Sequence, residues 1–518
     1  MSQPAQTAYR TVIGLEVHVQ LLTRTKLFCG CSTKFGLPPN SATCPVCLGM
    51  PGVLPVMNRQ AFDLALKAAL ALNCRIASFT KWDRKNYYYP DLPKNYQISQ
   101  YDLPFSQGGW LEIETPAGAR PIRIIRVHLE EDAGKSLHDE SGGGGHSRVD
   151  LNRAGTPLLE IVSEPDITSP EEARAYLEEI RLLLRELQVS DCEMQEGSLR
   201  CDANVNVHIP QTDGSFAATP IVEVKNLNSI AAVERAMRYE AQRQFEEFQK
   251  TGKKLGEVPK ATAGWDEDKR MTRIQRRKEE ASDYRYFPEP DLVPVTVSAA
   301  KVEEIRAGLG ELPAAQRTRL QSQYGLSAYD AGVLSRQGRA FVAYFEEVVQ
   351  IGGHPKEACN WMTNEVLKTI NEQNLKIGEF VLWPEDLAGL INSIQQQGLP
   401  NQPARESYKR MMFEKKVRLT TLRTSVFYPR RAPPDGYRIS PLAAEVISKL
   451  GYQVVADEGQ LRDIIRRAIA ANAKAVADFK KGKLKAADAI KGAVMRETKG
   501  MAKTDLVQKL LLEELQKA

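Results

Sequence analysis

Four cysteines near the start of the chain, Cys29-Gly30-Cys31 and Cys44-Pro45-Val46-Cys47, constrain its folding more than any other feature. Two thiol pairs separated by twelve residues make the donor set of a tetrahedral four-cysteine zinc knuckle. Four thiolates fill every position on the metal and leave none for water, so the zinc they predict is structural. The CxC pair is tighter than the usual CxxC, a small irregularity. The alternative, four free thiols gathered by chance, is at odds with their pairing. Cys74, Cys192, Cys201 and Cys359 are scattered and read as ordinary buried thiols of a reducing compartment, since eight cysteines in 518 residues are too few for a disulfide scaffold.

A chain of 518 residues is too long for one core, and three or four domains are expected. No stretch approaches twenty apolar residues and no basic-then-apolar leader opens the sequence. The expectation is a protein without a membrane partner, cytoplasmic or, in a eukaryote, in an organellar stroma or matrix. With 70 basic and 65 acidic residues the net charge is only +5, which by itself does not point to nucleic acid. Its distribution says more, because Lys474, Lys480, Lys481, Lys483, Lys485, Lys491, Arg496, Lys499 and Lys503 lie on segments of helical spacing. Such a tail suits a phosphate backbone, or is simply a solvated face.

The first 295 or so residues read as strand-rich. Residues 200–209 alternate strictly, with Cys201, Ala203, Val205, Val207 and Ile209 against Arg200, Asp202, Asn204, Asn206 and His208. That pattern predicts a half-buried strand in a sheet with one open face. Segments 10–20, 111–115, 120–130 and 220–225 read as further strands. Ser169-Pro170-Glu171-Glu172 opens a helix to about Gln188 through an N-cap and a first-turn proline, and a second helix runs from about Ser229 to Lys250. Helices on one side of a largely antiparallel sheet make the class α+β. The glycine run 141–147 lacks the Gly-Lys-Ser/Thr of a P-loop, and Pro288, Pro290 and Pro294 mark the exit from the first domain. Short helical patterns follow over 299–309, 313–323, 326–332, 335–350, 355–373 and 384–396, and, after a break at 398–404, over 460–472, 474–481, 484–499 and 503–516.

Glu16 and His18 alternate with Leu15, Val17 and Val19, which puts both side chains on one strand face about 6–7 Å apart. Burying that pair on the core side would be costly, so the face should line a cleft. Arg126, His128, Glu130, Glu131, Asp132, Gly134 and Lys135 bring three consecutive acids beside a histidine and a lysine, as a hard-cation site with a phosphate-facing lysine would. Glu193 and Glu196 precede the strand of Asp202 and Asn204, and Glu223 and Lys225 alternate with Val222 and Val224. Each cluster alone reads equally as a solvated strand face. Several strands turning such residues outward together favour a magnesium and nucleotide cleft. Two runs, 81–91 and 283–291, mix tyrosines with Arg or Lys and end in Pro and Asp. They suit stacking on a base and holding phosphates, or serve as packing struts.

The runs Thr11–His18, Asp83–Tyr87, His128–Lys135, Gly197–Asn204 and Asp283–Asp291, in this order, resemble the B subunit family of the aspartyl/glutamyl-tRNA amidotransferase. The resemblance covers residues 9 to about 402 and resumes near 452. It implies an ATP-dependent carbon–nitrogen ligase with glutamine as amido-nitrogen donor. The B subunit would bind misacylated Glu-tRNA(Gln), Asp-tRNA(Asn) or both, and phosphorylate the side-chain carboxylate of the attached amino acid with ATP and Mg2+. Ammonia from the glutaminase, or A, subunit would displace the phosphate, and a small C subunit would complete a heterotrimer. The misacylating aminoacyl-tRNA synthetase is a further partner it admits. Residues 1–297 would be the cradle-shaped kinase domain with the knuckle at 29–47, 298–402 a helical domain, 403–450 an atypical connector and 451–518 a helical tRNA-binding tail.

By the same resemblance Glu16, His18, Glu131 and Glu223 would hold magnesium and serve catalysis and ATP binding, Lys85 and Lys135 would neutralise phosphate, and Tyr87 and Arg285 would line the cofactor cleft. Nothing resembles the Ser-Ser-Lys triad of a glutaminase, so glutamine alone should not be a substrate. Residues 403–448 depart from the family pattern, being basic and proline-interrupted without helical periodicity over 418–438. A reading-frame error and a lineage-specific loop both remain open there. Two other readings stay open on the residues alone: a tRNA-binding zinc protein without catalysis, and a scaffold for a partner amidase. Convergence of Glu16, His18, Glu131 and Glu223 within reach of one metal separates the kinase reading from the non-catalytic one.

Overall fold

A computed structural model describes residues 8–138, 147–277, 284–422, 438–452, 458–480, 486–498, 502 and 504–517. The glycine run up to His146, Asp283 and the stretch 423–437 lie outside the described residues. The chain forms two compact units, divided after Ala314.

The first unit is built on a ten-stranded, mostly antiparallel sheet. Its strands are β1 (Arg10–Gln20), β2 (Arg75–Ile76), β3 (Ser106–Thr115), β4 (Gly118–Glu131), β5 (Pro157–Ser163), β6 (Leu199–Pro210), β7 (Phe216–Ala218), β8 (Val222–Lys225), β9 (Ala261–Asp266) and β10 (Met271–Arg277). They lie in the order β10-β9-β8-β6-β1-β5-β4-β3-β2, with β7 on β6, and only β8 and β9 run parallel. The expected strands are present, as is the α+β class.

Strand period decides which side chains meet. In β1, Ile13, Leu15, Val17 and Val19 are fully buried, and Glu16, His18 and Gln20 face the other way. Each such apolar side chain stabilises the fold by about 1.5–3 kcal/mol. Helices α1 (Arg59–Ala71), α2 (Pro170–Glu186) and α3 (Ile230–Thr251) share the core with the apolar sheet face through Leu66, Tyr176, Leu177, Ile180, Val233 and Met237. The expected caps are formed: Ser169 Oγ accepts the Glu172 N–H at 3.1 Å and Ser229 Oγ the Ala232 N–H at 3.0 Å.

After the prolines the chain returns to this unit. Val295–Thr296 pairs with Phe79–Thr80, Lys301 lies 3.5 Å from Asp63 of α1, and Leu309 joins the same core. The compact unit therefore runs past the boundary expected after residue 297.

The second unit is helical. Helices Arg339–Gly352, Pro384–Gln397 and Asn401–Leu422 pack around Phe341, Phe345, Leu387, Ile391, Tyr408 and Met411. The stretch 401–422, expected to hold a break and an irregular connector, is one helix, with Ala404, Tyr408, Met411 and Leu419 buried at helical spacing. Between Pro355 and Gln373 the expected helix carries a π-turn at Met362–Val366. A separate core of Leu461, Ile465, Ile490, Val494, Leu511 and Leu515 joins helices Glu458–Ala471, Ala487–Glu497 and Thr504–Lys517.

Candidate active site

The polar face of the first sheet is assembled by strand register. His18 of β1 lies opposite Glu160 of β5 and Arg200 of β6, and Glu160 in turn lies opposite His128 of β4. Glu130 follows His128 on the same face, one strand period on. His18 Nε2 comes within 3.6 Å of Glu160 Oε2 and 3.9 Å of Glu130 Oε1, and His128 Nε2 within 3.2 Å of Glu160 and 3.8 Å of Glu130. Ser99 Oγ donates to Glu130 at 3.3 Å.

Two nearly buried carboxylates at such range repel unless a cation joins them. Without a metal, His128 supplies it. Burial opposes protonation of His128, but Glu160 and Glu130 hold its pKa at about 9, and that of His18 is raised in the same way. Burial pushes the Glu160 carboxyl up, yet His128 brings it well below the usual range. One ligand atom each from His18, Glu130 and Glu160 lies within 4.8 Å of the others, and His128 Nδ1 is buried with no hydrogen-bond partner among the described residues. A hard dication fits this donor set.

The expected set does not assemble. Only His18 belongs to that trio. Glu131 has the opposite strand parity, leaves the polar face, accepts the Ile98 N–H at 2.9 Å and pairs with Lys94. Glu223 is buried against Lys225 and Thr262, and Glu16 accepts from Asn204 Nδ2 at 2.8 Å. Glu16, Glu131 and Glu223 therefore do not converge with His18 on one metal, the outcome that counts against a kinase built on those four residues, and the carboxylates that stand beside His18 are instead Glu130 and Glu160. Lys135 is exposed on the hairpin of Lys135–His138 with Ser147–Asp150. Arg285 is also exposed, at a φ of 42°, with its carbonyl accepting from Asn86 Nδ2. The lone glutamate in the apolar run Pro157-Leu158-Leu159-Glu160-Ile161-Val162 was the signal for Glu160.

The two aromatic runs meet. Phe287–Pro288 pairs with Asp83–Asn86, and Arg84 makes a fork to Glu289 at 2.7 and 2.9 Å. Tyr101 stacks on Tyr286 at 4.0 Å, and Tyr284 contacts both Tyr87 and Tyr286 edge to face. Lys85 Nζ lies over the Tyr284 ring at 5.1 Å and the Tyr87 ring at 5.9 Å. Burial works against its charge, but Glu130 and Glu160 raise its pKa above the ordinary lysine value.

The knuckle is a separate centre. The sulfurs of Cys29, Cys31, Cys44 and Cys47 lie within 4.8 Å of one another, compatible with the roughly 3.8 Å edge implied by zinc–sulfur bonds of about 2.3 Å. Cys44 caps the helical turn Pro45–Leu48, and its N–H donates to Cys47 Sγ at 3.2 Å. Lys26, fully buried, donates from Nζ to Cys47 Sγ at 3.5 Å. The other four cysteines are buried free thiols, as expected.

The sequence pattern of the GatB/GatE catalytic domain matches residues 11–303, and that of the GatB domain matches residues 343–515. The second match spans 403–448. The chain is 48% identical over 509 residues to the B subunit of the aspartyl/glutamyl-tRNA(Asn/Gln) amidotransferase of Rhodopirellula baltica, covering 98% of this chain and 97% of that protein. It is 47% identical over 507 residues to the corresponding protein of Moorella thermoacetica, covering 98% and 100%. Against that of Carboxydothermus hydrogenoformans it is 45% identical over 510 residues, covering 98% and 99%.

Proposed function

The chain belongs to the B subunit family of the aspartyl/glutamyl-tRNA amidotransferases, and from that premise we propose that it is the activating component of a tRNA-dependent amidotransferase. It binds misacylated Glu-tRNA(Gln), Asp-tRNA(Asn) or both, and phosphorylates the side-chain carboxylate of the attached amino acid with ATP. Ammonia from a glutaminase partner, the A subunit, displaces the phosphate, and a small C subunit completes the heterotrimer.

The observation that carries this reading is the trio of His18, Glu130 and Glu160, whose two carboxylates act on the charge of Lys85 in the tyrosine cluster. A carboxylate oxygen is a poor leaving group, and phosphorylation makes it a good one. His18, Glu130 and Glu160 would hold Mg2+, whose chemistry is to neutralise phosphate charge during transfer. Lys85 adds a positive charge, and the tyrosine rings offer stacking surfaces to a base. Cys29, Cys31, Cys44 and Cys47 hold a structural zinc. No described helix is long and apolar enough to cross a membrane.

The test is reconstitution of the chain with its glutaminase and small-subunit partners, given ATP, Mg2+, glutamine and each misacylated tRNA in turn. Amidated aminoacyl-tRNA is expected with at least one of them. Absence of product from both removes the proposal.

A further inference from the structure

One arginine of the polar face, Arg126, forms no ion pair among the described residues. Arg126 lies on β4 one strand period before His128, and its charge acts on the Tyr286 hydroxyl. Its Nε is buried and has no hydrogen-bond partner among the described residues. Arg200 also has a buried Nε without a hydrogen-bond partner among the described residues but is ion-paired with Asp132 at 2.8 Å, and Lys225 pairs with Asp202 and Glu223. Lys85 lies over tyrosine rings. Withdrawing a guanidinium nitrogen from water without a partner is costly, and on this half-buried arginine beside His128 it leaves a donor that a ligand can complete.

We propose that Arg126 is the receptor for the side-chain carboxylate of the amino acid carried by the tRNA. This rests on the proposed function. A dication held by His18, Glu130 and Glu160 would balance the two carboxylates and leave the charges of Lys85 and Arg126 unanswered on that face. The two cations differ in shape. A lysine is a point charge suited to a phosphate, whereas guanidinium presents a planar fork that matches a carboxylate with two parallel hydrogen bonds.

In the transfer, one carboxylate oxygen forms a bond to the γ-phosphorus while the bond from that phosphorus to the ADP oxygen breaks. ADP leaves with the electron pair, and no proton moves. Arg126 orients the acceptor for that attack. The product side chain is a neutral carboxamide, so the same guanidinium also distinguishes Glu or Asp from Gln or Asn.

Arg126→Lys, which keeps the charge, and Arg126→Gln, which removes it, are compared with the wild type in the complete complex. The expected result is a fall of at least about 100-fold in kcat/KM for misacylated tRNA in both variants, with the KM for ATP within threefold of wild type. Binding without ATP is measured in parallel. The wild-type preference for Glu-tRNA over Gln-tRNA should be lost in Arg126→Gln, with uncharged tRNA bound as before. Unchanged kcat/KM in Arg126→Gln overturns the proposal, as does a raised KM for ATP with an unaltered aminoacyl-tRNA constant. A wild-type complex that makes no amide but binds Glu-tRNA with the Arg126-dependent preference removes the proposed reaction and leaves the carboxylate receptor standing.

Discussion

At the scale of single residues, strand parity separates the groups that face the trio from those that brace it. Glu130 and Glu131 are neighbours in sequence and opposites in role. Glu160→Gln removes a carboxylate from the trio, so amidation should fall by two orders of magnitude or more, and half-saturation by Mg2+ should rise at least tenfold. An Mg2+ titration that matches wild type would take Glu160 out of the site. Glu131→Gln should act on stability instead, because Glu131 is 2% exposed, ion-paired with Lys94 and bonded to the Ile98 N–H. Breaking a buried pair from one side costs about 3–5 kcal/mol, to be read from the urea midpoint, with Mg2+ half-saturation unchanged. The alternation His128, Glu130 was legible in the sequence and already excluded Glu131 from sharing a face with His128. Glu160 was harder to find, since the pairing of β5 between β1 and β4 is a long-range fact that no local pattern carries.

At the scale of elements, local chemistry was legible wherever it is self-contained. Ser169 and Ser229 cap their helices because the hydroxyl and the amide it receives lie three residues apart. The 401–422 helix was missed because Pro403 reads as a breaker, although in a first turn proline interrupts no hydrogen bond. The knuckle is the most self-contained element, and its prediction is correspondingly direct. The purified chain should carry one zinc, and Cys47→Ser should release it, lowering the melting temperature and leaving the fully buried Lys26 without its thiolate. Metal analysis and a thermal melt decide this. A Cys47→Ser chain with wild-type stability and no zinc would show that the four sulfurs do not brace the fold.

At the scale of the whole molecule, the proposed chemistry lies within the first unit, while most of the basic tail belongs to the second. The sequence suggested a boundary at its prolines, but Leu309 and the Lys301–Asp63 contact keep the following helix with the first core. Such returns are tertiary, and composition does not announce them. The second unit exposes Lys474, Arg496 and Lys509 on helices whose apolar sides close a core of their own. If these charges track the tRNA backbone, their effect must be electrostatic and indifferent to the amino acid carried. Each phosphate contact contributes a slope of about −0.7 to −0.9 in log affinity against log salt. Lys474→Glu with Arg496→Glu should therefore flatten that slope by one to two units and weaken charged and uncharged tRNA alike. The KM for ATP should stay at its wild-type value, because the trio and Lys85 are untouched. Filter binding at several salt concentrations measures this. A loss confined to charged tRNA, or a slope unchanged by the double substitution, would place the contact elsewhere and leave the tail a solvated surface.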